Sequence, residues 1–296
     1  MAEDGNPVEP NESLCQRDSH GWRGASGLIG TAAARLRDAV AAGLIAIGVG
    51  PNMLTVSGSV LTCVAGLWFA LGAGDVTPWE AERTTSPASW RPLTGAIVLT
   101  VACAMDVLDG AVARLGRLES GFGAVLDSTL DRLSDSAVFM ACAVHFAWTG
   151  NVTYVCLSLL ALANAYLISY VKARAENVVN DCGVGTWQRG ERCVVFLFAA
   201  YVGHIPTALW LMSVFPMFTV VRRLRHTHVL AVNGQPREPA GWTRVLTPWG
   251  HPRGSIGYNL SAGVIFGFLT VAPWLHPFFY GQADPVRTLL DAVTAA

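Results

Sequence analysis

The chain is short of charge. Acidic and basic types make up 14% of its 296 residues, where a typical soluble domain carries roughly 25%. That scarcity excludes an ordinary soluble enzyme, which needs a charged shell, and a disordered chain, which needs still more polarity. A basic excess is also missing, since the net charge is −1, so the electrostatic footprint of a nucleic-acid binder is absent. Lysine is nearly absent: nineteen of the twenty basic residues are Arg, and the other is Lys172. None of the seven cysteines forms a C-x-x-C pair. Scattered through apolar stretches, they read as small core hydrophobes rather than a disulfide framework or zinc site. No basic segment followed by an apolar one opens the chain, so no cleaved signal peptide is expected.

What is present in excess is apolar: 52% of residues, with a mean hydropathy of +0.41. The expected class is therefore an all-α integral membrane protein. Residues 1–30 read as a disordered polar head. Residues 31–47, Ala-rich with Arg35, Arg37 and Asp38 grouped together, predict an interfacial helix. Spans of about 20 apolar residues follow at 54–74, 93–113, 122–148, 151–171, 192–204 and 205–221, making a six-helix transmembrane bundle. A seventh candidate, 257–280, is interrupted by Pro273 and ends in interfacial aromatics. The main domain is expected over 31–225, with a linker and the extra segment over 226–296.

Basic residues set the expected orientation. With the N-terminus in the cytoplasm, one side collects Arg114, Arg117, Lys172, Arg174, Arg189, Arg192, Arg222, Arg223, Arg225, Arg237, Arg244 and Arg253. The other holds Arg83 and Arg91 beside Asp75, Glu80 and Glu82, while the turns near 150 and 204 carry no Arg or Lys. This asymmetry is the positive-inside pattern. It predicts a multi-pass protein of the cytoplasmic membrane.

Four carboxylates interrupt the second and third spans: Asp106, Asp109, Asp127 and Asp131. An ionised Asp in hydrocarbon costs about 2.5–3.5 kcal/mol on translocon scales, so such residues face the bundle interior and serve a function. At 100° per residue, Asp106, Asp109, Gly110 and Ala113 share one helical face, and Gly123, Asp127 and Asp131 share another. Facing carboxylates repel unless cations bind between them, and hard oxygen ligands suit Mg²⁺ or Mn²⁺. Gly110 and Ala113 clear room for a phosphate, and Arg114 offers it a fork of donors. Together they describe a diphosphate site. The plainer alternative is that the aspartates pair with Arg114 and Arg132 and cap helices.

The string D-x2-D-G-x2-A-R-x8-G-x3-D-x3-D over residues 106–131 resembles the signature of the CDP-alcohol phosphatidyltransferases at all eight fixed positions. Residues 122–135, 169–176, 190–192 and 221–224 look most like the bacterial phosphatidylinositol-phosphate synthases. The resemblance implies Mg²⁺-dependent transfer of a phosphatidyl group from CDP-diacylglycerol to an alcohol, with release of CMP. It implies that Asp106, Asp109, Asp127 and Asp131 hold two metal ions and that Asp131 is the general base. By the same resemblance, Asn52, Met53, Leu54, Thr55, Gly110, Ala113, Arg114 and Ser120 contact CDP-diacylglycerol. Lys172, Arg174, Arg189, Arg192 and Arg223 would bind a phosphorylated polyol such as inositol phosphate, for which several cationic donors are needed. Family likeness further suggests a homodimer among membrane lipids.

Other readings separate on definite features. Glycerol 3-phosphate, equally anionic, is the rival acceptor. Intramembrane prenyltransferases also use Asp-rich motifs on diphosphates but place them far apart in the chain. A cation transporter would need its carboxylates near mid-membrane and has no use for the Gly and Ala-Arg positions. His226, His228 and His251 are too loosely spaced for a metal site and are expected in a solvated loop.

Overall fold

The computed structural model describes residues 25–85, 87–179, 182, 184–233 and 256–295. It is all-helical, with no strand among the described residues beyond an isolated bridge between Val76 and Ala88. Nine α-helices follow in order among the described residues: α1 (Ala25–Ala46), α2 (Pro51–Gly72), α3 (Arg91–Gly116), α4 (Gly121–Trp148), α5 (Val152–Ala175), α6 (Arg189–Val202), α7 (Ile205–Asn233), α8 (Ile256–Leu275) and α9 (Pro285–Thr294). The expected polar head therefore ends earlier than residue 30, because the first helix already begins at Ala25. Residues 1–24 lie outside the described part of the chain. Mostly exposed, α1 buries Ala41 against Leu54, Ala111 and Val112, with Leu44 and Ile45 packed beside it.

Local chemistry sets the boundaries that matter for the site. Pro51 starts α2 after an extended Gly50, where its missing N–H costs nothing. Arg117, in the left-handed region at φ 53°, ends α3 by returning its N–H to Ala113 and Arg114. Ser120 then caps α4, its hydroxyl accepting from the Gly123 N–H at 3.0 Å. This tight turn sets the α3 and α4 carboxylates opposite one another.

α2 packs against both α3 and α4, α4 against α5, α5 against α7, and α6 is wedged between α3, α7 and α8. Phe196 of α6 meets Phe69 of α2 and Phe139 of α4 edge-on at 5.1 and 6.3 Å. Close approach of α2 relies on small residues: a Cβ on Gly66 would stand 3.0 Å from the Ala137 carbonyl, and one on Gly58 3.3 Å from that of Ala102.

Among the described residues, five helices are long and apolar enough to cross a membrane: Pro51–Gly72, Arg91–Gly116, Val152–Ala175, Ile205–Val232 and Tyr258–Leu275. α4 has the length but carries Asp127, Asp131, Arg132 and Asp135. Three expectations change. The fifth expected span is a 14-residue helix, about 21 Å long, too short for a ~30 Å hydrocarbon core and sheltered by its neighbours. The sixth does not stop at 221: α7 runs on to Asn233 through Pro216, so His226 and His228 are helical rather than in a loop. His251, Arg237, Arg244, Arg253 and most of the expected linker fall outside the described residues. Pro273 does not break the seventh candidate, which continues to Leu275.

α8 runs the height of the bundle. Its first turn touches the start of α6, where Tyr258 donates to Glu191. The segment after its last turn reaches the opposite end, where the Tyr154 hydroxyl donates to the Phe278 carbonyl and Asn151 donates to that of Gly281.

Candidate active site

Three helices build the carboxylate cluster. α3 supplies Asp106 and Asp109, α4 supplies Asp127 and Asp131, and α2 supplies Thr55. Asp106, Asp109 and Asp127 each present an oxygen within 4.8 Å of the others. At an effective dielectric of 20, carboxylates that close repel by at least about 3 kcal/mol per pair. Hard, anionic and convergent, this donor set fits a divalent cation. Asp109, at 7% exposure the most buried of the three, is oriented by the Thr55 hydroxyl, which donates to its Oδ2 at 2.7 Å. Such second contacts hold a ligand in its binding geometry.

Asp131 stands outside this trio. Its Oδ1 receives Arg189 Nη1 at 2.7 Å, and the same nitrogen lies 2.6 Å from Asp106 Oδ2. One guanidinium from α6 therefore bridges a carboxylate of α3 and a carboxylate of α4. One helical turn deeper the pattern repeats: Arg192 Nη2 meets Asp135 Oδ2 at 2.6 Å, while its Nη1 donates to the Trp187 carbonyl. Beside these pairs lies a cavity of about 40 Å³, room for a few waters. Ser59, Thr62, Ser134 and the thiols of Cys103 and Cys193 help to line it.

The residues expected at the nucleotide diverge in placement. Asn52 is exposed at the start of α2, facing Gly123, where an added Cβ would come 3.4 Å from its Oδ1. Arg114 is exposed and lies over Gly110, its Nη1 3.4 Å from where a Cβ would be. Thr55 turns to Asp109, and Ser120 caps α4. Met53 points outward, and Leu54 is buried against Ala41, Ala111 and Val112.

The five cations expected at the acceptor do not converge. Arg189 and Arg192 reach the carboxylates. Lys172 pairs instead with Glu176 one turn along, at 3.7 Å, and Arg174 is exposed. Arg223 is buried, donating from Nε to the Val184 carbonyl at 3.0 Å and from Nη1 to that of Ile168 at 2.5 Å.

Sequence reasoning missed one site residue and one pairing. Asp135 continues the Asp127, Asp131 stripe by one more turn, so its spacing was a usable signal. The partnership of Arg189 with Asp106 was not, because 83 residues separate them and no local period connects them.

Comparison with known proteins bears on the same residues. The family model for CDP-alcohol phosphatidyltransferases matches residues 49–232. A phosphatidylinositol phosphate synthase of Mycobacterium tuberculosis is 32% identical over 204 residues, covering 66% of this chain and 86% of that one. An archaetidylinositol phosphate synthase of Methanothermobacter thermautotrophicus is 31% identical over 179 residues, covering 58% and 80%. The crystal structure of the M. tuberculosis enzyme with CDP-DAG bound superposes with a TM-score of 0.56 at 30% identity, covering 70% of this chain and 100% of that one. Another, in complex with manganese and citrate, gives a TM-score of 0.54 at 29% identity, covering 69% and 93%. With its carboxylate motif, its helical bundle and a match that runs through all three site helices, the chain belongs to the CDP-alcohol phosphatidyltransferase family.

Proposed function

We propose that the protein transfers a phosphatidyl group from CDP-diacylglycerol to a hydroxyl of inositol phosphate and releases CMP. The observation that carries this reading is the Asp106, Asp109, Asp127 cluster with two guanidiniums, Arg189 and Arg192, reaching in beside it. Relatives named for inositol phosphate products, and a structural neighbour with CDP-DAG bound, support the substrate pair.

In this reading Asp106, Asp109 and Asp127, joined by Asp131, hold magnesium or manganese, two ions when fully loaded. Bound there, the metal supplies Lewis-acid stabilisation of the diphosphate and of the departing CMP. The protein's own residues do the rest. Thr55 keeps Asp109 turned to the cluster. Gly110 leaves room for the diphosphate, and Arg114 lies over it as a donor fork. An anionic acceptor exchanges one anion for another at Arg189, which brings its hydroxyl beside Asp131. Asp131 takes the hydroxyl proton as the oxygen attacks phosphorus. The bond from that phosphorus to the CMP oxygen breaks, and CMP leaves with the electron pair. The proposal places the site on the cytoplasmic face and includes a homodimer, which rests on the family resemblance alone.

The test is CMP release by the purified protein in detergent with Mg²⁺, comparing inositol phosphate, inositol, glycerol 3-phosphate and serine in parallel. Inositol phosphate is expected to be preferred. A preference for glycerol 3-phosphate would overturn the acceptor, and silence with every acceptor would overturn the activity. Asp131→Asn should lower kcat by about 10²–10⁴, as loss of a general base does.

A further inference from the structure

Glu191, in the first turn of α6, is held at both carboxylate oxygens. Its Oε2 accepts from the Gln188 N–H at 3.1 Å, closing the capping box of the helix. Its Oε1 accepts from the Tyr258 hydroxyl, also at 3.1 Å. Tyr258 belongs to α8, beyond residue 232 where the family match ends. From the same turn of α6 leave the two guanidiniums of the site. Arg189 reaches Asp106 and Asp131, and Arg192 reaches Asp135. Both carry a buried Nε with no hydrogen-bond partner, so each side chain is fixed by its terminal nitrogens and by the backbone it springs from. Where that backbone sits decides where the guanidiniums arrive. The turn of α6 is the short end of a 14-residue helix, entered from a loop rather than from a preceding span.

We infer that Tyr258 is a positioning residue for the transfer reaction. By fixing Glu191 it fixes the first turn of α6, and with it the points from which Arg189 and Arg192 reach the site. A phenol donating to a carboxylate is a charge-assisted bond, stronger than a neutral one. The last span thus has a part in the chemistry although it lies outside the stretch that the family shares. This inference rests on Arg189 serving the acceptor, as proposed above.

The experiment uses the full chain in detergent and the variant Tyr258→Phe, which removes one oxygen and keeps the ring. The expected result is a rise in the KM for inositol phosphate of roughly fivefold, the equivalent of about 1 kcal/mol. The KM for CDP-diacylglycerol and the melting temperature should stay as in the parent. A merely structural contact would instead lower the melting temperature and move both KM values together. Glu191→Gln, alone and combined with Tyr258→Phe, completes a double-mutant cycle. If Tyr258 acts through Glu191, the double variant is no worse than the poorer single one; multiplying effects would overturn the proposal. Should Tyr258→Phe fail to fold, an unchanged acceptor KM in Glu191→Gln would overturn it as well. Arg189→Ala separates the premise: parental kinetics there would sink the acceptor site itself, whereas impairment there with a silent Tyr258→Phe sinks the tie alone.

Discussion

Thr55 shows how a single hydroxyl can matter more than its composition suggests. It spans two helices, accepted by the Pro51 carbonyl at 3.1 Å within α2 and by Asp109 Oδ2 at 2.7 Å across to α3. Removing the donor while keeping the shape, as in Thr55→Val, leaves Asp109 free to rotate away from the cluster. Mn²⁺ affinity measured by electron paramagnetic resonance should then fall about 10- to 100-fold, the usual cost of losing an outer-shell partner. Unchanged affinity would remove Thr55 from the metal site. The carboxylates themselves were legible in the sequence because their spacing, three and four residues, is the helical period. Thr55 was legible only as part of a string, and its expected nucleotide contact differs from the partner it has here. Leu54, the preceding residue on the same backbone, fills the seam with α1 instead. A short string of neighbours on a helix samples every direction around the axis, so contiguity alone cannot tell a ligand contact from a core contact.

Helix starts expected from apolar runs at 54, 122 and 151 fall within three residues of the observed ones, which Pro51 and the caps Ser120 and Asn151 set; helices were less readable where packing decides. α6 is the clear case. Its sequence is apolar enough for a span, yet 14 residues cannot bridge a bilayer. It is accommodated because α3, α7 and α8 surround it, a property of the partners that its own residues do not encode. α7 runs past its expected end for the opposite reason: no residue from 222 to 233 forces a stop, and Pro216 is tolerated inside. The seam between α2 and α4 gives the element-scale prediction. Gly66→Val would press its Cβ toward the Ala137 carbonyl, only 3.0 Å away. Overpacking of that kind costs about 1–3 kcal/mol. The melting temperature of Gly66→Val should fall clearly, while that of Gly43→Ala, which meets nothing within 4 Å, should hold. Equal effects would mean that the close α2–α4 approach is not what Gly66 provides.

Across the whole molecule, the C-terminal segment fastens the bundle at both ends: at the start of α6 through Tyr258 and at the far end through Asp284. Asp284 caps α9 and also accepts from the Val152 N–H at 2.7 Å and the Thr153 N–H at 3.0 Å, at the start of α5. Burial acts to raise its pKa. The Thr153 hydroxyl and the N–H groups of Arg287, Val152 and Thr153 outweigh that and hold the carboxyl below its ordinary 3.8. Folding therefore favours the ionised form. The stability this contributes is complete above the unfolded value near 3.8 and is lost as pH falls through the lower folded value. The melting temperature of the parent should exceed that of Asp284→Asn at neutral pH, and the gap should close as pH drops below about 4. A gap independent of pH would mean that the charge is irrelevant. The tie at the other end has a consequence in time. Tyr258 follows Asp131 by about 130 residues, so at usual synthesis rates it emerges on the order of ten seconds later. The acidic helices are already in the bilayer by then, and the guanidiniums meant for them are on a turn that has its own capping box but not yet the tie to α8. In this reading the full set of contacts around the reaction centre forms only once α8 has been made. A nascent chain that stalls before α8 would carry every residue of the family signature and still lack the clasp on the turn that bears Arg189 and Arg192.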